Sequence, residues 1–334
     1  GITEGAVTKG TQRDKLLTWF RANGLPQMEN LRKETIEDLL LKDRQGVFLI
    51  EKDVGHATMR ALVIRSQIAR ASTKKLQKAL LTVSRDARIR GMLQYHGAGT
   101  GRWAGRGVQP QNFPRAIITN CQNEDGTKKW LDMELLVKHI KEDSLDEHYA
   151  SAMDAVASML RGMFIAAPGK VFHICDFSAV EARVTFWVAN CQAGLDVFAQ
   201  SDAGKSEDIY CVTASDLVGF TVTKKNSHER QLGKITVLGC GYQMGWEKLQ
   251  YQAAKDYKVV LTDAEAQGMV NLYREKYAEV KWLWYGLNDA AIAAVKTGKP
   301  HSYGMIIYDV VEDAAGRWLV CILPNGRKLW YYEP

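Results

Sequence analysis

The sequence predicts an α+β chain, mostly helical, with a small antiparallel sheet near its C-terminal end. Apolar residues recur at helical spacing through most of the chain. Residues 305–332 instead carry runs of β-branched and aromatic residues, divided by the hairpin turn Pro324-Asn325-Gly326. A further apolar run, Val171-Phe-His-Ile-Cys-Asp176, reads as a strand set between helices.

Taken in order, residues 11–24 form a short amphipathic helix that stops at Gly24, and residues 35–42 form another. A long helical pattern covers residues 54–81. Residues 91–114, rich in Gly, Pro, Gln and Asn, read as irregular backbone that approaches something closely. Residues 120–150 are a polar, acidic, peripheral excursion. A helix over 152–163 precedes the strand over 170–176, and a helix over 179–190 follows it. Further helices span 208–218 and 227–238. Thr262-Asp-Ala-Glu265 is a capping box opening a helix towards Tyr277, and a Trp- and Ala-rich helix then stops near Gly298. Strands over 305–311, 318–323 and 328–332 complete the chain, which has no internal repeats.

A chain of 334 residues can bury a large core, and no run of about 18 apolar residues marks a membrane span. The first residues, Gly-Ile-Thr-Glu-Gly-Ala, have neither the basic start nor the apolar run of a signal peptide. Six scattered cysteines without a Cys-x-x-Cys pair argue against a zinc site or disulfide framework and for a reducing compartment. The seven histidines also lack metal-ligand spacing. Residues 57–115 hold twelve Lys/Arg against one acid, Asp86, a local charge of +11 in a chain of net +6. That excess is either a surface for a polyanion or a solvated basic face.

Three segments carry chemistry. Asp176, at the end of its strand, is placed either to bind magnesium or, with Ser178, to cap the next helix. Arg230, Lys234, Leu238 and Tyr242, spaced by four, share one helical stripe. Its cations either sit in water or hold phosphates, with Gly239 and Gly241 admitting a flat object beside Tyr242. Gly97-Ala-Gly-Thr-Gly-Arg102 has Gly-x-Gly spacing but lacks the Gly-Lys-Ser/Thr ending of a phosphate loop. Arg102, Gln111 and Asn112 are suited to donate to minor-groove acceptors or phosphates.

On these residues the chain resembles family A DNA polymerases, the bacterial DNA polymerase I type, and looks most like their phage-encoded members. Asp176-Phe-Ser-Ala-Val-Glu-Ala-Arg183 is similar to the family's first palm motif. The Arg230, Lys234, Leu238, Tyr242 spacing resembles its fingers helix, and Thr100-Gly-Arg102 with Gln111-Asn112 its Thr-Gly-Arg…Gln-Asn-x-Pro segment. Ser72-Thr73-Lys74-Lys75 resembles the thumb tip. Asp208-Ile-Tyr-x-x-Thr213-Ala and the hairpin Leu323-Pro-Asn-Gly-Arg-Lys-Leu329 also fit, and the order matches along nearly the whole chain.

The resemblance implies a right-hand architecture: palm entry over 1–30, thumb over 31–95, palm over 96–185, fingers over 186–300, and a truncated palm hairpin over 301–334. It implies two magnesium ions, replaceable by manganese, on Asp176 and the backbone carbonyl of Phe177. Glu181 would exclude a 2′-hydroxyl, Arg183 support the palm floor, Arg230 and Lys234 hold the triphosphate, and Tyr242 stack near the templating base. Arg102, Gln111 and Asn112, with Ser72, Thr73, Lys74 and Lys75, would bind primer–template DNA. A cytoplasmic location is implied, the bacterial host's cytoplasm for a phage-encoded member.

Two departures stand out. Leu238 replaces the aromatic that packs on the incoming sugar, and the family's later His-Asp-Glu palm hairpin has no counterpart here. The expectation is therefore a DNA polymerase fragment, weakly active or inactive alone, whose second carboxylate is supplied from elsewhere, a second polypeptide being one source. The alternatives are a non-catalytic nucleic-acid-binding fragment, one subunit of a split polymerase, a single-subunit RNA polymerase (against which Glu181 counts) and a scaffold with incidental charge.

Overall fold

The computed structural model describes residues 3, 5–7, 12–41, 50, 54–68 and 72–334. The chain divides into two compact units, Gly1–Leu40 with Glu51–Cys175, and Leu41–Ile50 with Asp176–Pro334.

In the first unit the amphipathic helix Arg13–Ala22 buries Leu16 and Phe20, and the helix Lys33–Leu39 follows. Thr11 and Lys42, at the ends of the predicted helices, lie outside the described residues. The pattern over 54–81 is met by the helices His56–Ile68 and Ser72–Thr82, with 69–71 outside the described residues. Two hydrogen bonds tie the helix His56–Ile68 to the preceding chain. Thr58 Oγ1 donates to the Asn23 carbonyl at 2.8 Å, and Arg65 Nη2 donates to the Leu31 carbonyl at 3.2 Å.

Residues 91–114 are mostly irregular, as their composition predicts. They hold a two-residue antiparallel pair, Leu93–Gln94 with Ala104–Gly105, and the 3-10 turn Pro110–Asn112. Val108 and Phe113 bury themselves against Ala79 and Leu160, which fastens this loop to the helix Ser72–Thr82 and to the C-cap of the helix Ala152–Met159, itself shorter than the predicted 152–163. The segment over 120–150 is more than a polar excursion. It contains the helices Met133–Lys141 and Leu145–His148, and Leu136 and Tyr149 form a small core with Ala155.

The predicted strand over 170–176 does not form. A strand needs a neighbour to take its N–H and C=O groups, and no described strand pairs with this run. Its apolar side chains are left in solvent: Val171 is 73% and Ile174 91% exposed.

In the second unit, helices Val180–Val188, Ile209–Val218, Ser227–Cys240, Asp263–Lys276 and Ala278–Thr297 fall where the sequence places them. The Thr262–Glu265 capping box is present, and Gly298 ends its helix at φ +62°. The helices Gln192–Asp202 and Trp246–Gln252 were not foreseen. The first starts without a side-chain cap and contains Gly194, both poor local signals. Packing explains that glycine, because a Cβ there would stand 2.3 Å from the Phe186 ring. Phe186, Tyr273 and Tyr277 form the aromatic centre of the core, with Phe186 and Tyr277 centroids 4.6 Å apart.

The sheet is a four-stranded antiparallel meander of His301–Tyr303, Ile306–Asp313, Gly316–Ile322 and Lys328–Tyr332, in sequence order. The short first strand was not foreseen.

Helices Ile209–Val218 and Ser227–Cys240 touch at Gly233, where a Cβ would lie 2.0 Å from the Tyr210 carbonyl oxygen and 2.9 Å from the Ala214 nitrogen. Backbone cannot yield as a flexible side chain does. Gly233→Ala is therefore expected to destabilise this unit by about 3 kcal/mol, through overpacking. An unchanged urea midpoint for Gly233→Ala would show that these helices do not meet at this glycine.

Candidate nucleotide and nucleic-acid sites

The second unit centres its chemistry on one carboxylate. Asp208 caps the helix Ile209–Val218: its Oδ1 accepts from the backbone N–H groups of Tyr210 and Cys211, both at 3.1 Å. Its Oδ2 accepts from Arg230 Nε at 3.1 Å and Nη2 at 2.9 Å. Burial opposes ionisation of Asp208, yet the Arg230 and backbone hydrogen bonds outweigh it and hold the carboxyl below its ordinary range. The Arg230 guanidinium loses to burial but gains more from Asp208, and its pKa rises.

Both cations of the predicted stripe lie over tyrosine rings. Arg230 stands 5.3 Å from the Tyr210 centroid, and Lys234 Nζ stands 5.9 Å from that of Tyr257. Tyr257 belongs to a single π-helical turn, Ala253–Tyr257, that extends the helix Trp246–Gln252. Glu181 is half-buried in the first turn of Val180–Val188. Burial, then the charge of Asp208 and more weakly that of Glu181, raises the Tyr210 phenol. Leu238 is half-buried, while Tyr242, expected on the same helical stripe, is 66% exposed in the turn beyond the helix, which ends at Cys240.

Arg183 has a local structural partner. Its Nη1 and Nη2 donate to the Asp202 carboxylate, both at 2.7 Å, and its guanidinium covers Phe198. It thereby clamps the helix Gln192–Asp202 to Val180–Val188.

Asp176 and Phe177 lie on exposed, non-helical backbone. The helix-cap alternative is set aside: the N-cap is Ala179, at φ +49°, and no side chain caps the helix. Among the described residues no group of three or more His, Cys, Asp or Glu stands close enough to hold a metal ion. One carboxylate and one carbonyl do not fit a pair of divalent ions, which needs carboxylates bridging metals about 3.5–4 Å apart.

In the first unit Arg102 is exposed beside the turn in which the Gly101 N–H donates to the Ala98 carbonyl at 2.8 Å. Gln111 is exposed and lies across Gly105, where a Cβ would stand 2.0 Å from Gln111 Nε2. Asn112 Nδ2 donates to Gln109 Oε1 at 3.0 Å. Lys75 Nζ donates to the carbonyls of Gln109 at 3.3 Å and Asn112 at 3.1 Å, and stands 4.7 Å from the Phe113 centroid. Burial lowers its pKa. Lys75 thus fastens the turn that presents Gln111 and Asn112. Ser72, Thr73 and Lys74 open the helix Ser72–Thr82, and their side chains lie outside the described residues.

The sequence reading missed Asp208 as the partner of Arg230, and Tyr257 as the ring beside Lys234. Asp208 did carry a signal, an acid directly before an apolar helical run. Tyr257 carried none, because its position depends on the π turn.

The family model of DNA polymerase family A matches residues 48–296. The chain belongs to this family. It is 32% identical over 326 residues to a DNA polymerase of Bacillus phage SP02, an alignment covering 96% of this chain and 45% of that protein. It is also 32% identical over 108 residues to DNA polymerase I of Aquifex aeolicus (strain VF5), covering 32% of this chain and 18% of that protein. Among solved structures, the POL domain of Pol1 from M. smegmatis, in complex with DNA primer-template and dNTP, aligns at a TM-score of 0.49 and 17% identity. That alignment covers 90% of this chain and 47% of the other. The chain thus spans less than half the length of the curated relatives it matches. Among the described residues no helix is long and apolar enough to cross a membrane.

The Asp208–Arg230 pair has a pH signature. A carboxyl whose folded pKa is depressed below its ordinary 3.8 stabilises the fold above that value, and the contribution is lost as pH falls through the folded pKa. Asp208→Asn keeps an oxygen for the helix cap but removes the charge. In thermal denaturation between about pH 3 and 6, the wild type should lose stability on acidification more steeply than Asp208→Asn. Parallel acid limbs would show that the pair contributes nothing.

Proposed function

We propose that this chain is part of a template-directed DNA polymerase that joins dNTPs to a primer 3′-hydroxyl. The observation that carries the reading is the Arg230–Lys234 stripe, its Arg230 held by Asp208, within the family-matched residues. The segments 1–30, 31–95, 96–185, 186–300 and 301–334 serve as palm entry, thumb, palm, fingers and palm hairpin.

In this reading Arg230 and Lys234 neutralise the triphosphate and draw charge towards the leaving pyrophosphate. Asp208 pre-orients the Arg230 fork, and the tyrosine faces keep both cations from wandering. Glu181 borders the sugar and selects against a 2′-hydroxyl, Leu238 lies under that sugar, and Tyr242 faces the templating base. Gln111 and Asn112, on the turn fastened by Lys75, meet the primer–template with Arg102. The cofactor proposed is a divalent metal, magnesium with manganese as substitute, towards which this chain contributes Asp176 and the Phe177 carbonyl. Those groups do not complete a two-metal site, so the further carboxylates are assigned to polymerase residues beyond those described. A non-catalytic, nucleic-acid-binding role for the isolated chain is the second reading, favoured by that same incomplete donor set.

The test is equilibrium binding of a dNTP and of primer–template DNA, alongside primer extension. Lys234→Ala and Arg230→Ala should each weaken dNTP binding roughly 10- to 100-fold, the worth of a charged hydrogen bond. Asp176→Ala should leave primer–template binding intact and abolish extension by the complete polymerase. Equal residual extension in Asp176→Ala and Lys234→Ala would sink these roles. Brisk extension by the 334-residue chain alone would show that it completes its own metal site.

A further inference from the structure

The first unit carries an aromatic pair that none of the roles above uses. The hairpin pairs Leu93 with Gly105 and Gln94 with Ala104, so the next residues along each strand, Tyr95 and Trp103, face one another. Their rings meet edge to face with centroids 5.2 Å apart and planes at 71°. Neither ring is buried: Tyr95 is 73% and Trp103 59% exposed. Leu93, two residues before Tyr95, is also exposed.

Two large aromatic side chains left in water contribute almost none of the stabilisation that burial would give. The hairpin could pair as well with small polar residues, so its own packing does not require them. The surrounding charge is of one sign. Arg90 is paired with Asp86 at 2.6 Å, but from Gly91 to Arg115 the sequence holds Arg102, Arg106 and Arg115 and no acid, and Arg102 directly precedes Trp103 in the chain. Exposed π-faces on a segment that also carries arginines suit a ligand with flat, apolar faces strung on an anionic backbone. In a duplex those faces are already stacked on one another, and only an unpaired strand offers them.

We propose that Tyr95 and Trp103 form a stacking platform for an unpaired strand of nucleic acid, single-stranded DNA in the proposed polymerase. This rests on the reading of the chain as a nucleic-acid-binding polymerase component and adds a strand-state preference to it. Arg102 and Arg106 contribute the salt-dependent part of the affinity, and the aromatic pair contributes a part that salt leaves alone.

The experiment measures binding of the 334-residue chain to fluorescein-labelled oligo(dT) and to a blunt duplex, by anisotropy across a salt series. Variants are Tyr95→Ala, Trp103→Ala, Trp103→Phe and Trp103→Leu. The alanine variants should lose roughly 5- to 150-fold in oligo(dT) affinity, the worth of one stacked base, with duplex affinity unchanged. Their log–log salt slope should match the wild type, because no phosphate contact is removed. Trp103→Phe should retain most of the affinity, and Trp103→Leu, which keeps apolar bulk without a π-face, should behave like alanine. Oligo(dT) binding by Trp103→Leu equal to the wild type would overturn the proposal, as would equal losses on duplex and single strand. If the wild type binds neither probe, the platform and the underlying nucleic-acid reading fall together. Duplex binding with no effect of any variant overturns the platform alone.

Discussion

The ion pair between Asp208 and Arg230 is the constraint that ties two helices of the second unit and fixes the guanidinium on which the proposed chemistry rests. One carboxylate does two jobs: its Oδ1 closes the exposed N–H groups of one helix, and its Oδ2 fixes the guanidinium of another. The cap is local to its own helix, but the second job needs the two helices close together. Gly233 removes the one side chain that would separate them, so the backbone of one helix rests on the other. Cation, carboxylate and tyrosine faces are thereby assembled before any substrate arrives. Preorganisation of that kind lowers the cost of holding a polyphosphate, since the side chains have little freedom left to lose.

The acidic end of the proposed chemistry is built differently. Asp176 sits beside a run whose apolar side chains face solvent, with Ile174 at 91% and Phe177 at 83% exposure. An apolar run of this composition lowers its free energy by pairing and being covered, and among the described residues it pairs with no strand. The contrast between a tightly held cationic helix and a loosely held carboxylate matches the incomplete metal donor set. It is why the proposed activity belongs to the polymerase as a whole.

Basic charge in the first unit is not one uniform surface. Lys75 is drawn inward to two carbonyls and supports a turn, and Arg90 pairs with Asp86 at 2.6 Å. Arg161 is spent on the Phe113 and Pro114 carbonyls at 2.8 and 3.0 Å. A formal count of cations therefore overstates what an outside polyanion would meet. Arg102 and Arg106 are exposed and lie one and three residues from Trp103 in the chain.

Much of the fold was legible in the residues. The capping box at Thr262, the stop at Gly298, and the Pro324-Asn325-Gly326 turn act within a few residues of themselves, so sequence suffices to read them. The spacing of Arg230, Lys234 and Leu238 likewise placed them on one stripe, because helical period decides that, whereas Tyr242 falls in the turn after the helix ends at Cys240 and leaves the stripe. Sequence could not decide what faces the stripe. Asp208 lies 22 residues from Arg230, and Tyr257 reaches Lys234 only through a π turn. It also could not decide that the run over 170–176 stays unpaired, since an apolar run is a strand only when a neighbour accepts its hydrogen bonds. Local free energies were written in the sequence. The partners of Arg230, Lys234 and Asp176 depend on which elements come together, and only the tertiary structure decides that.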